Sequence, residues 1–115
     1  MRLLIAEDEL DFPEALTVFF EKNQFSVDAV HNGQDAYDYA LSGDYDAIIL
    51  DVMMPKMNGI EVLQRLRKEG VQVPIMMLTA KGQTMTALQA LAGADDYLPK
   101  SRVEEALRRL EQHVL

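Results

Sequence analysis

The sequence contains no cysteine and only two histidines, His31 and His113, in 115 residues. Without thiols there is no disulfide framework, no thiolate zinc site and no cysteine nucleophile. Two histidines cannot build a multi-histidine metal centre. Basic residues are also scarce: 11 Lys and Arg stand against 19 Asp and Glu, a formal net charge of -8. Neutralising nucleic-acid phosphates needs clustered cations, so a nucleic-acid surface is argued against. The apolar pattern that follows Met1-Arg2 is too short for a secretory signal core, and no run is long enough for a membrane span. A soluble, cytoplasmic, acidic protein remains, and its length suits one domain that needs no staple to bury a core.

What is present alternates between two kinds of apolar segment. Short continuous runs occur at Leu3-Leu4-Ile5-Ala6, Ala47-Ile48-Ile49-Leu50 and Pro74-Ile75-Met76-Met77-Leu78, with a weaker one over residues 26–30. Such runs suit strands covered on both faces, as in a parallel sheet. Between them apolar residues recur at helical spacing: Leu16, Phe19 and Phe20; Val62, Leu63 and Leu66; and Val103, Ala106, Leu107, Leu110 and Val114. Asn32-Gly33 and Asn58-Gly59 read as helix starts and Gly70 as a helix stop. A short last strand is expected around Tyr97 and Leu98. The order is strand-helix repeated five times, which right-handed crossovers wind into an α/β three-layer sandwich. With no internal repeat or linker, residues 1–115 are expected to form a single domain. The seven methionines read as core filler, and both histidines as surface residues.

In an open parallel sheet, function concentrates at the carboxyl ends of the strands, near the point where strand order reverses. The first strand pattern runs into Glu7-Asp8-Glu9, and the third ends in Asp51. If those strands are neighbours, Glu7, Asp8 and Asp51 converge, and three carboxylates in a low-dielectric cleft repel one another. A hard divalent cation relieves that repulsion, and oxygen ligands with room for water suit Mg2+. Taken alone, residues 7–11 read equally well as a solvated acidic turn, and Asp51 as a turn cap. Thr79 ends the fourth strand pattern and Lys100 follows the fifth. Each alone is unremarkable. Together, a carboxylate nucleophile, a divalent ion, a hydroxyl and an ammonium describe a site for phosphoryl transfer, with Asp51 attacking in line.

Four motifs carry a resemblance: Leu-Ile-Ala-Glu-Asp-Glu, Leu-Asp-Val-Met-Met-Pro-Lys-Met-Asn-Gly, Met-Leu-Thr-Ala-Lys and Gly-Ala-Asp-Asp-Tyr-Leu-Pro-Lys. Across essentially the whole chain the sequence resembles the receiver domain of two-component response regulators, in particular the OmpR/PhoB-like subfamily that carries a winged-helix DNA-binding domain. The resemblance implies a doubly wound, flavodoxin-like (CheY-like) fold with parallel sheet order 2-1-3-4-5. It implies Asp51 as phosphoacceptor, and Glu7, Asp8, Asp51 and the backbone carbonyl of Met53 as Mg2+ ligands. Thr79 and Lys100 would contact the phosphoryl group, and Tyr97 would change rotamer when Thr79 moves. Pro55 and Gly59 would shape the loop after Asp51, the glycine by permitting a turn that other residues resist. The implied donor is a sensor histidine kinase. The implied output is a changed face on the fourth helix, fifth strand and fifth helix, serving a homodimer or an attached DNA-binding domain. Such a domain is not an enzyme in its own right, but a phosphoacceptor that assists its own phosphorylation and dephosphorylation. It makes no membrane contact, and DNA would be reached only through a C-terminal domain absent from this chain.

The departures cluster after Thr79. Ser101 stands where the family usually has proline, often after a cis peptide bond; a non-proline cis bond costs about 3 kcal/mol, so a trans bond or strain is expected there. Residues 82–92, the fourth-helix segment, carry no charge, whereas the subfamily uses charges there to dimerise. The segment also reads as one residue short ahead of Gly93. These features keep one alternative in view, a degenerate or engineered receiver acting as a phosphorylation-independent interaction or dimerisation module. Two other classes fit less well. Aspartate-based phosphatases place a second Asp two residues after the first, where this chain has Met53. A nucleotide or flavin site wants a loop rich in Gly, Ser or Thr, and Glu7-Asp8-Glu9-Leu10-Asp11 would repel a phosphate.

Overall fold

A computed structural model describes residues 1–7, 18, 21–22, 24–52 and 54–79, together with the strand backbone of 96–99. The elements in chain order are β1 (Arg2–Ala6), β2 (Ser26–Val30), α1 (Gly33–Ser42), β3 (Ala47–Asp51), α2 (Gly59–Lys68), β4 (Ile75–Thr79) and β5 (Asp96–Pro99). The strands form one parallel sheet of order β2-β1-β3-β4-β5, the order that the motifs implied. Of the helix expected around Leu16 to Phe20, Val18 is described and helical, as are Glu21 and Lys22 just after it. The helices expected over 82–92 and over 103–114 lie outside the described residues, as does the Lys100-Ser101 peptide bond.

Strand position explains the composition of each run. In β1 and β3, Leu3 to Ala6 and Ala47 to Leu50 are wholly buried, which is why both read as unbroken apolar stretches. Each of their larger side chains contributes about 1.5–3 kcal/mol on burial. β2 lies at the edge and leaves Ser26 and Ala29 exposed, so its apolar signal is weak. β5 is the other edge, where a proline that cannot donate to the ladder is tolerated at Pro99. Met57, Met76 and Met77 are buried and fill the core as expected of flexible thioethers.

Local chemistry fixes the helix ends. Asn32 caps α1 and accepts the Asp35 N–H at 2.8 Å; Asn58 caps α2 and accepts the Glu61 N–H at 2.9 Å. At the other end of α2, Gly70 adopts φ +88°, its N–H reaches the Arg67 carbonyl, and the Val71 N–H reaches the Leu66 carbonyl. This is a Schellman closure, which needs a left-handed residue where glycine stands. Arg67 tightens it by donating from Nη1 to the carbonyls of Val71 and Val73 at 2.9 and 2.8 Å.

The amino end of the sheet is closed by charge. Arg2 pairs with Asp28 at 3.2 Å and lies 4.8 Å from the ring centre of Tyr45, while the Tyr45 hydroxyl donates to Asp28 Oδ2 at 2.6 Å. Burial first, then the hydrogen bond to Asp28 and its charge, push the Tyr45 phenol up from 10.0 to about 12. The folded chain therefore keeps a proton between these two values that the unfolded chain releases. The stability that Tyr45 contributes is fully present below pH 10 and is lost as pH rises toward 12. In urea titrations across that window, the difference in stability between wild type and Tyr45→Phe is expected to shrink steadily. A difference that stays constant would contradict this account.

Candidate functional site

The sheet brings the first and third strand ends together. β1 and β3 pair directly, with Ala6 opposite Leu50, and Glu7 and Asp51 each follow one residue later. Strand order reverses between these two strands, so the pair sits at the switch point of the fold. Both side chains are wholly buried, at 0% exposure. Both residues interact with neighbours, while Glu7 Oε2 and Asp51 Oδ2 accept no hydrogen bond among the described residues. Two ionised carboxylates removed from water on adjacent strands repel each other and lose hydration.

The backbone around the pair is tied down. The Glu7 N–H donates to the Val30 carbonyl at 3.0 Å, and the Glu7 carbonyl lies 3.0 Å from His31 Nδ1. The Val52 N–H reaches the Leu78 carbonyl at 3.1 Å, and the Val52 carbonyl accepts the Gly59 N–H at 2.8 Å. The Gly33 N–H at the start of α1 donates to the Pro55 carbonyl at 3.1 Å. Asp51 is thus held by β4, where it stands opposite Leu78, and its following residue is bonded to the first residue of α2.

Gly59 acts differently from the expectation. It does not supply a left-handed turn, because it is the first residue of α2 and its backbone conformation is open to other residues. What it supplies is room: a Cβ there would collide with the Asp51 carbonyl oxygen and stand 3.1 Å from Met77 Cε. Among the described residues of this loop the left-handed one is Lys56, at φ 68°. A side chain at Gly33 would likewise collide with the Met57 carbonyl.

The remaining expected residues are placed less fully. Thr79 ends β4, one residue past Leu78, which pairs with Asp51; it stands opposite Pro99, the residue before Lys100. Tyr97 lies in β5 opposite Met77. The side chains of Thr79 and Tyr97, and all of Asp8, Met53, Lys100 and Ser101, lie outside the described residues. Among the described residues no three metal-ligating side chains come together. The pair that is described fits a hard cation in kind: oxygen donors, anionic, and deprived of water. His31 was expected only as a surface residue. It is exposed, but its ring also reaches Glu7, a contact across 24 residues of chain that no local pattern signals.

Residues 3–112 match the response regulator receiver domain family. The chain belongs to this family. It is 43% identical over 112 residues to the transcriptional regulatory protein DltR of Streptococcus agalactiae, which covers 96% of this chain and 50% of DltR. It is 42% identical over the same length to the response regulator MprA of Mycobacterium avium, covering 96% and 49%. The chain thus spans about half the length of these curated relatives. Among solved structures, the response regulator TrrA of Thermotoga maritima, in complex with Mg2+ and BeF, superposes with a TM-score of 0.87 at 32% identity, covering 99% of this chain and 98% of that one. The receiver resemblance read from the motifs is borne out, and so is the flavodoxin-like fold.

The clamp on Asp51 makes a direct prediction. Gly59→Ala forces a methyl group against the Asp51 carbonyl, and overpacking of this kind costs about 1–3 kcal/mol. The variant is expected to unfold at clearly lower urea than wild type. Asn58→Ala, which removes only a cap, is expected to cost about 1 kcal/mol. An unchanged midpoint for Gly59→Ala would mean that α2 does not press on Asp51.

Proposed function

We propose that this receiver domain accepts a phosphoryl group on Asp51 in the presence of Mg2+, as the input half of an OmpR/PhoB-like response regulator. The observation that carries this reading is the wholly buried Glu7 and Asp51 pair at the switch point of the sheet. Glu7, Asp8, Asp51 and the Met53 carbonyl are the proposed metal ligands. When bound, Mg2+ supplies neutralising charge to the phosphoryl oxygens. The Asp51 carboxylate forms the oxygen-phosphorus bond as the donor's phosphorus-nitrogen bond breaks. The electron pair leaves with the donor imidazole, which takes up a proton. A sensor histidine kinase is the proposed donor.

Thr79 and Lys100 are proposed to contact the transferred group from β4 and from the end of β5. Added negative charge beside Asp51 draws the Thr79 hydroxyl inward, and Tyr97 turns into the space it leaves. The changed face over 82–92, β5 and the last helix then selects its partner: a second copy of the chain, or a DNA-binding domain attached beyond it. The chain's own part is to receive and release the group, in the cytoplasm; among the described residues no helix is long and apolar enough to cross a membrane. A phosphorylation-independent interaction module would have no use for two buried carboxylates whose desolvation costs several kcal/mol each.

The test is intact mass after incubation with acetyl phosphate and Mg2+. Wild type is expected to gain one phosphoryl group, and Asp51→Asn none. Addition to both, or to neither with a kinase donor as well, would overturn the assignment. A sizing column run on the same samples reads out the homodimer.

A further inference from the structure

The bond between His31 and Glu7 lies outside the roles assigned so far. A carbonyl oxygen can only accept, so the 3.0 Å contact requires the proton on His31 Nδ1. The histidine is well placed to hold this bond. Val30 before it ends β2 and accepts the Glu7 N–H; Asn32 after it caps α1, holding the Asp35 N–H and accepting the Ala36 N–H at 3.1 Å. With both neighbours fixed, little chain freedom is lost when the ring engages.

Both backbone groups of Glu7 are therefore held from the β2 end, the N–H by Val30 and the carbonyl by His31. The peptide unit that joins Glu7 to Asp8 is planar. A bond to its oxygen fixes the rotation of that plane, and with it the direction in which the Glu7 carboxylate leaves the strand. Neither oxygen of the Glu7 side chain is reached by the histidine bond, so the effect is on orientation and not on charge.

Resting on the proposed Mg2+ site, we infer that His31 is a positioning residue for its acidic ligands, acting through the Glu7 carbonyl. Partners of this kind are worth about 10–100-fold in metal affinity when they hold a ligand side chain directly. Acting through the backbone, His31 is expected at the lower end.

Calorimetric titration of Mg2+ into the whole chain, without any phosphodonor, tests this. His31→Leu is expected to weaken binding by about tenfold. His31→Asn, whose amide N–H stands near the place of Nδ1, is expected to restore most of the loss. Metal-free melting temperatures of the two variants should agree. Equal affinity for His31→Leu and wild type overturns the inference, as does equal loss in the Leu and Asn variants. A lower melting temperature with unchanged affinity also overturns it, by assigning the bond to folding alone. Glu7→Gln separates the two layers: if wild type binds Mg2+ no better than Glu7→Gln, the metal site itself fails and the inference falls with it.

Discussion

Two wholly buried carboxylates, Glu7 and Asp51, set the terms for the rest of this structure. They sit where β1 and β3 emerge from the core, one residue past a pair of apolar residues that are themselves sealed from water. Desolvation opposes placing charge there, and repulsion between like charges adds to it. Folding must therefore supply the difference elsewhere. It does so with the continuous apolar runs of the central strands, and with helix ends whose polar groups are closed by Asn32, Asn58, Gly70 and Arg67. The pair sits in a frame stable enough to tolerate it, and a divalent cation at the proposed metal site would relieve the repulsion between the two charges.

That frame is not equally tight on all sides of Asp51. Toward β1 and β2, the Glu7 peptide is held at both ends, and α1 is bonded to the loop after Asp51 through Gly33 and Pro55. Toward α2, the helix begins so close to the Asp51 carbonyl that only glycine fits. The proposed switch residues lie on the other flank, Thr79 at the end of β4 and Tyr97 on the edge strand β5. An edge strand has a neighbour on one side only, so displacing it disturbs fewer backbone bonds than moving β1 or β3 would. A charge added at the proposed acceptor Asp51 would thus lie between the bonded side formed by β1, α1 and α2 and a side that ends in an edge strand.

The sequence announced much of this, for reasons that can be named. Leu3 to Ala6 and Ala47 to Leu50 are legible because strands buried on both faces cannot carry polar residues. Asn32 and Asn58 are legible because a cap is a local device, completed within three residues. Asp51 and Glu7 stood out as charges directly abutting such runs. Illegible were the contacts made across the fold. The role of Gly59 depends on how closely α2 approaches β3, so the same glycine was assigned conformational freedom when its work is to leave space. His31 had nothing in its neighbourhood to mark it, since its partner lies 24 residues away and belongs to the backbone. Backbone carbonyls have no sequence signature.

Lys56 shows how far the frame over-determines the loop next to the site. It adopts φ 68° without being glycine, a conformation that costs an L-residue roughly 1–2 kcal/mol. Such strain persists only where surrounding contacts leave no cheaper arrangement. Here they are identifiable: the Pro55 carbonyl receives both the Gly33 N–H and the Met57 N–H, the latter at 2.7 Å, and Met57 is buried in the core. Releasing the strain at Lys56 would mean breaking those bonds or exposing Met57. The loop that follows Asp51 is therefore held in shape before any ligand arrives. A pre-set loop suits the proposed phosphoacceptor role of Asp51, because the ordering entropy has already been spent in folding.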